Sequence, residues 1–352
     1  MRHEGDVPVV TSSGITGFHN EAKAKAPGVV TGRYGTLGEV FYLEQDYWPH
    51  NTALYVVDFK GTHPRFASYF LTNVLRNYQS DKAAVPGVDR NVLHEIRVRV
   101  PDTSEQESIA AVLSAYDDLM ENNRRRMRLL EDAAGLLSRE WFVRLRFPGH
   151  EHTRITTNGV PDGWERVPTP DAIEINPITK LSDEQEHWYV EMADLPTDSM
   201  VIQNAVKRDG RSGSKFRNGD TLLARITPCL ENGKTGFVNF MADGEAGRGS
   251  TEFIVLRSKR VTPEFVYCLA RTYDFREKAI KSMVGSSGRQ RVQESCFEKH
   301  MVWIPPRTLL SLFSEFAEPV FHQIKTLHSQ TQKLRAARDL LLPRLMSGEI
   351  AV

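Results

Sequence analysis

Cysteine is scarce in this sequence. Only Cys229, Cys268 and Cys296 occur in 352 residues, and no two of them stand in a CxxC pair. A disulfide framework is therefore not expected, and without His/Cys spacing of the zinc kind neither is a metal site. The three read as reduced, partly buried thiols of a cytoplasmic protein. Net charge is also lacking, with 45 basic residues against 45 acidic ones. A simple nucleic-acid binder is often basic overall, so this balance weighs against that class. It leaves open local basic patches and binding shared with a partner. No apolar run approaches the roughly 18 residues of a membrane span, and no signal-peptide pattern is seen at the start, so no membrane association is expected. A composition of 40% hydrophobic and 26% charged residues argues against disorder.

Catalytic motifs are missing as well. "ENGKTG" (231–236) holds the Gly-Lys-Thr of a phosphate-binding loop, but the required first glycine falls at Pro228. "NPIT" (176–179) resembles the Asn-Pro-Pro-aromatic motif of adenine methyltransferases. It lacks the second proline and the aromatic that stacks on a flipped base. "HEH" (150–152) has no carboxylate at ligand spacing, and no nucleophile elbow or HExxH occurs. No catalytic residue is expected, and the reading turns to binding.

What is present is a long heptad pattern. Ile109, Leu113, Tyr116, Met120, Asn123, Met127, Leu130, Ala134, Leu137 and Trp141 follow steps of four and three. That is the a/d seam of a coiled coil. A helix from Glu105 to Trp141, capped near Asp102, is predicted to run roughly 55 Å. Within the seam only Asn123 is strongly polar, a residue type that can fix register. The predicted partner lies in the same chain: Phe313, Ala317, Val320, Ile324, Leu327, Thr331, Leu334, Arg338, Leu341 and Leu345, each 204 residues after a seam position. Before both helices stands a strand-like run ending in proline, "EIRVRVP" (95–101) and "KHMVWIP" (299–305). A whole module is therefore duplicated, a globular part followed by a long helix.

In order, the chain predicts a strand at Val7–Thr11, then the polar turn Ser12–Ser13–Gly14. Two strands joined by a glycine-rich loop follow in "PGVVTGRYGTLGEVFYLE" (27–44), then a strand in "NTALYVVDF" (51–59). "PRFASYFLTNVLRNY" (64–78) has the period of an amphipathic helix. "SDKAAVPGVDRNVLHEI" (80–96) opens as a loop and returns to a strand. After a linker at 147–164, "NGDTLLARITPCLENGKTGFVNF" (218–240), "STEFIVLRS" (250–258) and "PEFVYCLARTY" (263–273) parallel these elements. The best local match sets Arg90–Asn91 against Arg289–Gln290. The second module has a long front, from Gly163 to about Lys215, for which the first has almost no counterpart; either the first module is naturally shorter or its front is missing, and the second reading is favoured.

Basic residues gather in "VKRDGRSGSKFR" (206–217), which contributes Lys207, Arg208, Arg211 and Lys215, and around Arg289 and Arg291. The first module offers Arg33, Lys82 and Arg90. Such residues suit phosphates and guanine edges, while Asn91 and Gln290 can read adenine. The plain alternative is a solvated charged surface, and it also holds for "NNRRRMR" (122–128) on the first long helix.

Taken together, the order of elements resembles the specificity (S) subunit of a type I restriction–modification system. The pieces that carry the resemblance are "VPVVTSSGITGFHN", "GVVTGRYGTLGEVFY", "WPHNTALYV", "SDKAAVPGVDRNVLHEI" and the helix "PDTSEQESIAAVLSAYDDLMENNRRRMRLLEDAAGLLSREWFV". Two departures are the shortened first front and "PPRTLLSLFSEFAEPVFHQI", where the family has a Glu/Gln-rich helix start. The resemblance implies an α+β architecture: two similar α/β target-recognition domains joined by two long helices in an antiparallel coiled coil. The domains would be 1–100 and, with a linker, 147–304; the helices would be 101–146 and 305–352. It implies a non-catalytic subunit that reads a split double-stranded DNA target and docks two methyltransferase subunits, joined by restriction/translocase subunits. S-adenosylmethionine, ATP and Mg would sit on those partners, with no cofactor on this chain. On this reading Ser12, Ser13, Arg33, Tyr34, Thr36, Lys82, Arg90 and Asn91 lie near DNA in the first domain. Arg225, Lys234, Arg289, Gln290 and the basic loop do so in the second. The rival readings are a coiled-coil scaffold with no DNA role, a subunit that reads one half-site because its first domain is short, and a self-sufficient modifying enzyme.

Overall fold

The structure is a computed structural model that describes residues 4–34, 38–76, 78, 87–157, 159–181, 186–210, 212–286 and 288–352. Two compact units arise: Met1–Glu121 with Thr331–Val352, and Asn122–Gln330.

The first unit carries β1 (Val7–Thr11), β2 (Gly14–His19), β3 (Gly28–Gly32), β4 (Val40–Leu43), β5 (Trp48–Pro49) and β6 (Ala53–Tyr55). Helices α1 (Pro64–Arg76) and α2 (Arg90–Glu95) follow, then the opening half of α3 (Thr103–Ser138). One small sheet has the order β2-β1-β5 and another β4-β3-β6. Val10, Val30, Leu43 and Tyr47 form the core that joins these strands. Gly28 is required here: a Cβ on it would lie 2.2 Å from the Tyr47 ring. The amphipathic α1 turns Phe66 and Tyr69 onto Ile109 and Leu113 of α3 and onto Leu342 and Leu345 near the chain's end. Asp102 caps α3, accepting a hydrogen bond from the Glu105 N–H at 3.0 Å. Asp117 on α3 accepts from the Tyr69 hydroxyl and from Arg338.

The second unit begins within α3 and carries β7 (Glu165–Pro168), α4 (Thr169–Ala172), β8 (Ile173–Ile175), β9 (His187–Val190), β10 (Val206–Arg208), β11 (Ser214–Arg217) and β12 (Thr221–Ala224). It continues with β13 (Thr235–Phe237), β14 (Ala246–Gly249), β15 (Phe253–Ser258), α5 (Pro263–Ala270), α6 (Tyr273–Lys281), β16 (Met301–Ile304) and the opening of α7 (Arg307–Met346). The sheets run β10-β9-β14-β11 and β13-β12-β15-β8, with β16 paired to β7. The apolar runs of β12 and β15 are buried along their length, as strands covered on both faces require. Thr262 and Thr272 cap α5 and α6 through their side chains. The closing half of α3 and the opening half of α7 meet through Ala134, Phe142, Phe313, Ala317, Val320 and Ile324.

Within each unit, one end of α3 packs on the opposite end of α7, the arrangement of an antiparallel pair. The expected seam residues Ile109, Leu113, Met120, Asn123, Val320, Ile324, Leu327 and Leu345 are buried, and Tyr116, Met127, Leu130, Leu137, Leu334 and Leu341 are half-buried. Two seam ends shift by one residue. A π turn at Arg139–Val143 widens the end of α3, and Phe142 rather than Trp141 is the buried ring, 5.0 Å from Phe313. Near the end of α7, Leu342 is buried where Leu341 was expected. A straight helix drifts off a strict heptad in this way.

Three sequence expectations are corrected. Residues 96–100 form no strand, although their counterparts form β16. "NTALYVVDF" yields only the three-residue β6, because among the described residues no strand lies outside it as β8 lies outside β15. The second module's front is shorter than expected. β9 and β10 repeat the pairing of β1 and β2, with β5 and β14 in matching parallel contact, so only β7, α4 and β8 lack counterparts.

Candidate nucleic-acid interface

In the first unit the main chain of Arg33 is held from both sides. Its N–H donates to the Thr52 carbonyl at 2.9 Å, and its carbonyl accepts from the Val88 N–H at 3.0 Å. Tyr34 bridges to Gly87. The Thr52 hydroxyl accepts from the Ser12 N–H at 3.4 Å, and Ser13 bonds to Thr11 within the same turn. Asp89 caps α2 by accepting from the Asn91 N–H, which leaves the Arg90 and Asn91 side chains exposed beside the bridge. Ser12, Ser13, Arg33, Tyr34, Arg90 and Asn91 are thus brought together around Thr52, Gly87 and Val88. The exposed Arg33 guanidinium stands 5.0 Å from the Tyr34 ring. Thr36 and Lys82 lie outside the described residues.

The second unit repeats the frame. The Arg225 N–H donates to the Glu252 carbonyl and its own carbonyl accepts from the Val292 N–H, both at 2.9 Å. Arg33 therefore matches Arg225, Thr52 matches Glu252, and Val88 matches Val292. This corrects the alignment of Arg90–Asn91 with Arg289–Gln290. The first pair follows the bridge and opens α2; the second precedes it, in a loop tied by Gln290 to Thr227. The two pairs flank the same frame from opposite sides.

Carboxylates partner many of the expected cations. Arg225 pairs with Glu294 at 3.2 Å, and Arg291 grips Glu252 through two nitrogens. Lys207 pairs with Glu245 at 3.0 Å and Arg208 with Glu191 at 2.9 Å; the Arg208 guanidinium also stacks 3.3 Å from the Tyr189 ring centre. Lys234 donates to the Met192 carbonyl, holding a loop. Lys215 is half-buried on β11, Arg289 is exposed, and neither has an ion pair among the described residues. Arg211 lies outside them. The sequence reading missed Thr52, Gly87 and the four glutamates. Only Thr52 and Glu252, opening the parallel strands β6 and β15, left a sequence signal.

A cleft of about 800 Å³ lies elsewhere in this unit, lined by Glu131, Ser138, Phe142, Tyr267, Cys268 and Trp303 among others. Burial raises the Glu131 carboxyl above its ordinary range, against hydrogen bonds from the Tyr267 hydroxyl and the Met200 N–H. Burial likewise pushes the Cys268 thiol up to about 12, so this sulfur is not a ready nucleophile. Among the described residues no three His, Cys, Asp or Glu side chains are grouped to hold a metal, and no helix is long and apolar enough to cross a membrane.

Two α/β domains with one repeated loop frame, each followed by a long helix, define a tandem-repeat α+β protein. Residues 1–131 match the family described as the type I restriction modification DNA specificity domain. The MjaIX specificity subunit of a type I restriction enzyme from Methanocaldococcus jannaschii is 27% identical over 80% of this chain and 68% of its own length. The EcoAI specificity subunit from Escherichia coli is 32% identical over 42% of this chain, and the match spans only 26% of that relative. The crystal structure of a type I restriction–modification S subunit from M. genitalium shares the fold. Its TM-score is 0.58 at 14% identity, covering 97% of this chain and 89% of that one. Residues 1–131 thus carry the specificity-domain match, and most of the chain is similar to type I restriction–modification specificity subunits.

Proposed function

We propose that this chain is the non-catalytic subunit that reads the DNA target of a type I restriction–modification complex, each domain reading one half of a split double-stranded site. The repeated main-chain frame supports this most directly. It presents different side chains around one repeated bridge: the exposed Arg33, Tyr34, Arg90 and Asn91 in one domain, and the exposed Arg289 with the half-buried Gln290 on the opposite flank in the other. Main-chain bonds fix the loops, while the arginine, asparagine and glutamine side chains can discriminate base edges. The surface ion pairs of Lys207, Arg208 and Arg291 are weak and exchangeable, and phosphates can take the place of the glutamates. The long helices would dock two methyltransferase subunits, with restriction/translocase subunits beyond them; S-adenosylmethionine, ATP and Mg would be held by those partners. The unread gap would follow from helix length.

The test is selection from a randomised duplex pool by the chain co-expressed with its methyltransferase. Two short blocks around a fixed gap are expected. A single block favours the half-site reading, which the open edges of the first domain make specific. No enrichment by a stable complex would leave the scaffold reading.

A further inference from the structure

In the second domain one continuous segment, Gly163–Asn176, closes two edges. Its β7 runs antiparallel to β16, with Met301 opposite Pro168, Val302 opposite Val167, Trp303 opposite Arg166 and Ile304 opposite Glu165. Its β8 runs antiparallel to β15, with Leu256 opposite Ile175 and Arg257 opposite Glu174. Trp164 is buried beneath it. Among the described residues no segment occupies the equivalent place in the first domain.

Both corresponding edges of the first domain stand open. Arg97–Val100 matches Met301–Ile304, since the 204-residue spacing already holds for Val88 and Val292. Val302 and Ile304 are 2% and 6% exposed, whereas Val98 and Val100 are 48% and 45% exposed. The backbone of Arg97–Val100 makes no hydrogen bond among the described residues. At the second edge, β6 pairs with β3 alone among the described residues; Val57, which matches Arg257, is 84% exposed. The Arg-Val-Arg-Val run that follows the α2 cap at Ile96, with its amides unused among the described residues, is a template for strand addition.

The geometry points to a strand-docking site in the first domain, formed by Arg97–Val100 and the outer edge of β6. Its occupant is a single extended segment with the chemistry of Gly163–Asn176: an aromatic, a short β-strand, a tight turn and a second strand. One residue must differ from that segment. Arg166 lies over the Trp303 ring at 5.9 Å, but Arg99 stands in the place of Trp303. An arginine opposite Arg99 would oppose like charges, so the occupant carries an acid there. This inference rests on the internal repeat and not on the DNA reading.

The probe is a labelled peptide of residues 163–176 carrying Arg166→Glu, titrated into the full chain and followed by fluorescence anisotropy. Saturable binding is expected, at least tenfold tighter than for the peptide with its native arginine. Arg99→Glu in the protein should reverse that preference. The double variant Val98→Asp/Val100→Asp should abolish binding without changing thermal unfolding of the peptide-free chain, because both side chains are exposed in it. Absence of binding, or a preference indifferent to Arg99→Glu, overturns the proposal. So does a concentration-dependent dimer of the chain alone that the double variant dissolves, which would give the edge to a second copy.

Discussion

Gly28 and Asp220 hold the same place in the two domains, at the head of the strand that leads to Arg33 or Arg225. In the first domain the position is filled by the approaching Tyr47 ring, and Val57, the counterpart of Arg257, stands in solvent. In the second, Asp220 is 0% exposed and receives two nitrogens of the buried Arg257 at 2.7 Å each, with Arg257 also reaching Thr179. One fold thus supports its recognition loops through a ring on a glycine in one copy and through a buried ion pair in the other. The second solution needs the front strand, since β8 covers the outer side of β15 where Arg257 lies. The difference between the domains is therefore one of closure, while the loop frame stays constant.

The most damaging way to break this comparison is Asp220→Ala. It leaves the Arg257 guanidinium buried and unpaired, which costs about 3–5 kcal/mol. Urea unfolding should show the loss in the second unit with little change in the first. Gly28→Ala should cost about 1–3 kcal/mol by overpacking against Tyr47 and should act on the first unit. Tyr267→Phe should cost about 1–3 kcal/mol by removing a donor from the buried Glu131.

Glu131 also carries a pH dependence. Burial raises its folded-state pKa above the ordinary 4.5. The folded state then holds the proton more tightly than the unfolded state does. Stability falls as pH rises from about 4.5 through the raised value, and the loss persists above it. Glu131→Gln should flatten that slope in unfolding experiments run from pH 4 to 8. For recognition, Arg289→Ala should relax one half-site and Arg90→Ala the other, each by about 1–3 kcal/mol of discrimination in duplex selection. The smallest effect is expected for Lys207→Ala, within about 1 kcal/mol of stability, since its ion pair with Glu245 is exposed.

The helices and their seam were legible because a heptad records burial at every turn, and the structure moves it by a single residue only at the π turn that ends α3 and near the end of α7. The duplicated strands β3 and β12 were legible for a similar reason, through apolar runs broken by glycine and turn residues. The run 96–100 was not. Its alternation is as good as that of 300–304, but a strand exists only where another backbone pairs with it, and that partner is remote in sequence. The partners of the cations were not legible for the same reason. Lys207, Arg208, Arg225 and Arg291 read as a basic surface until glutamates 17 to 69 residues away along the chain proved to be beside them. The pairing of Arg90 with Arg289 failed because local identity does not tell which side of the Val88 or Val292 bridge a residue falls on.

The frame around Arg33 and Arg225 is written in main-chain amides and carbonyls, which every residue except proline supplies in full. Point mutation has little hold on such a scaffold, and almost any loop side chain is compatible with it. A lineage carrying this fold can therefore exchange what its loops display, by drift or by recombination between copies, without first repairing the support beneath them. Heredity acts on the lettering and leaves the page intact.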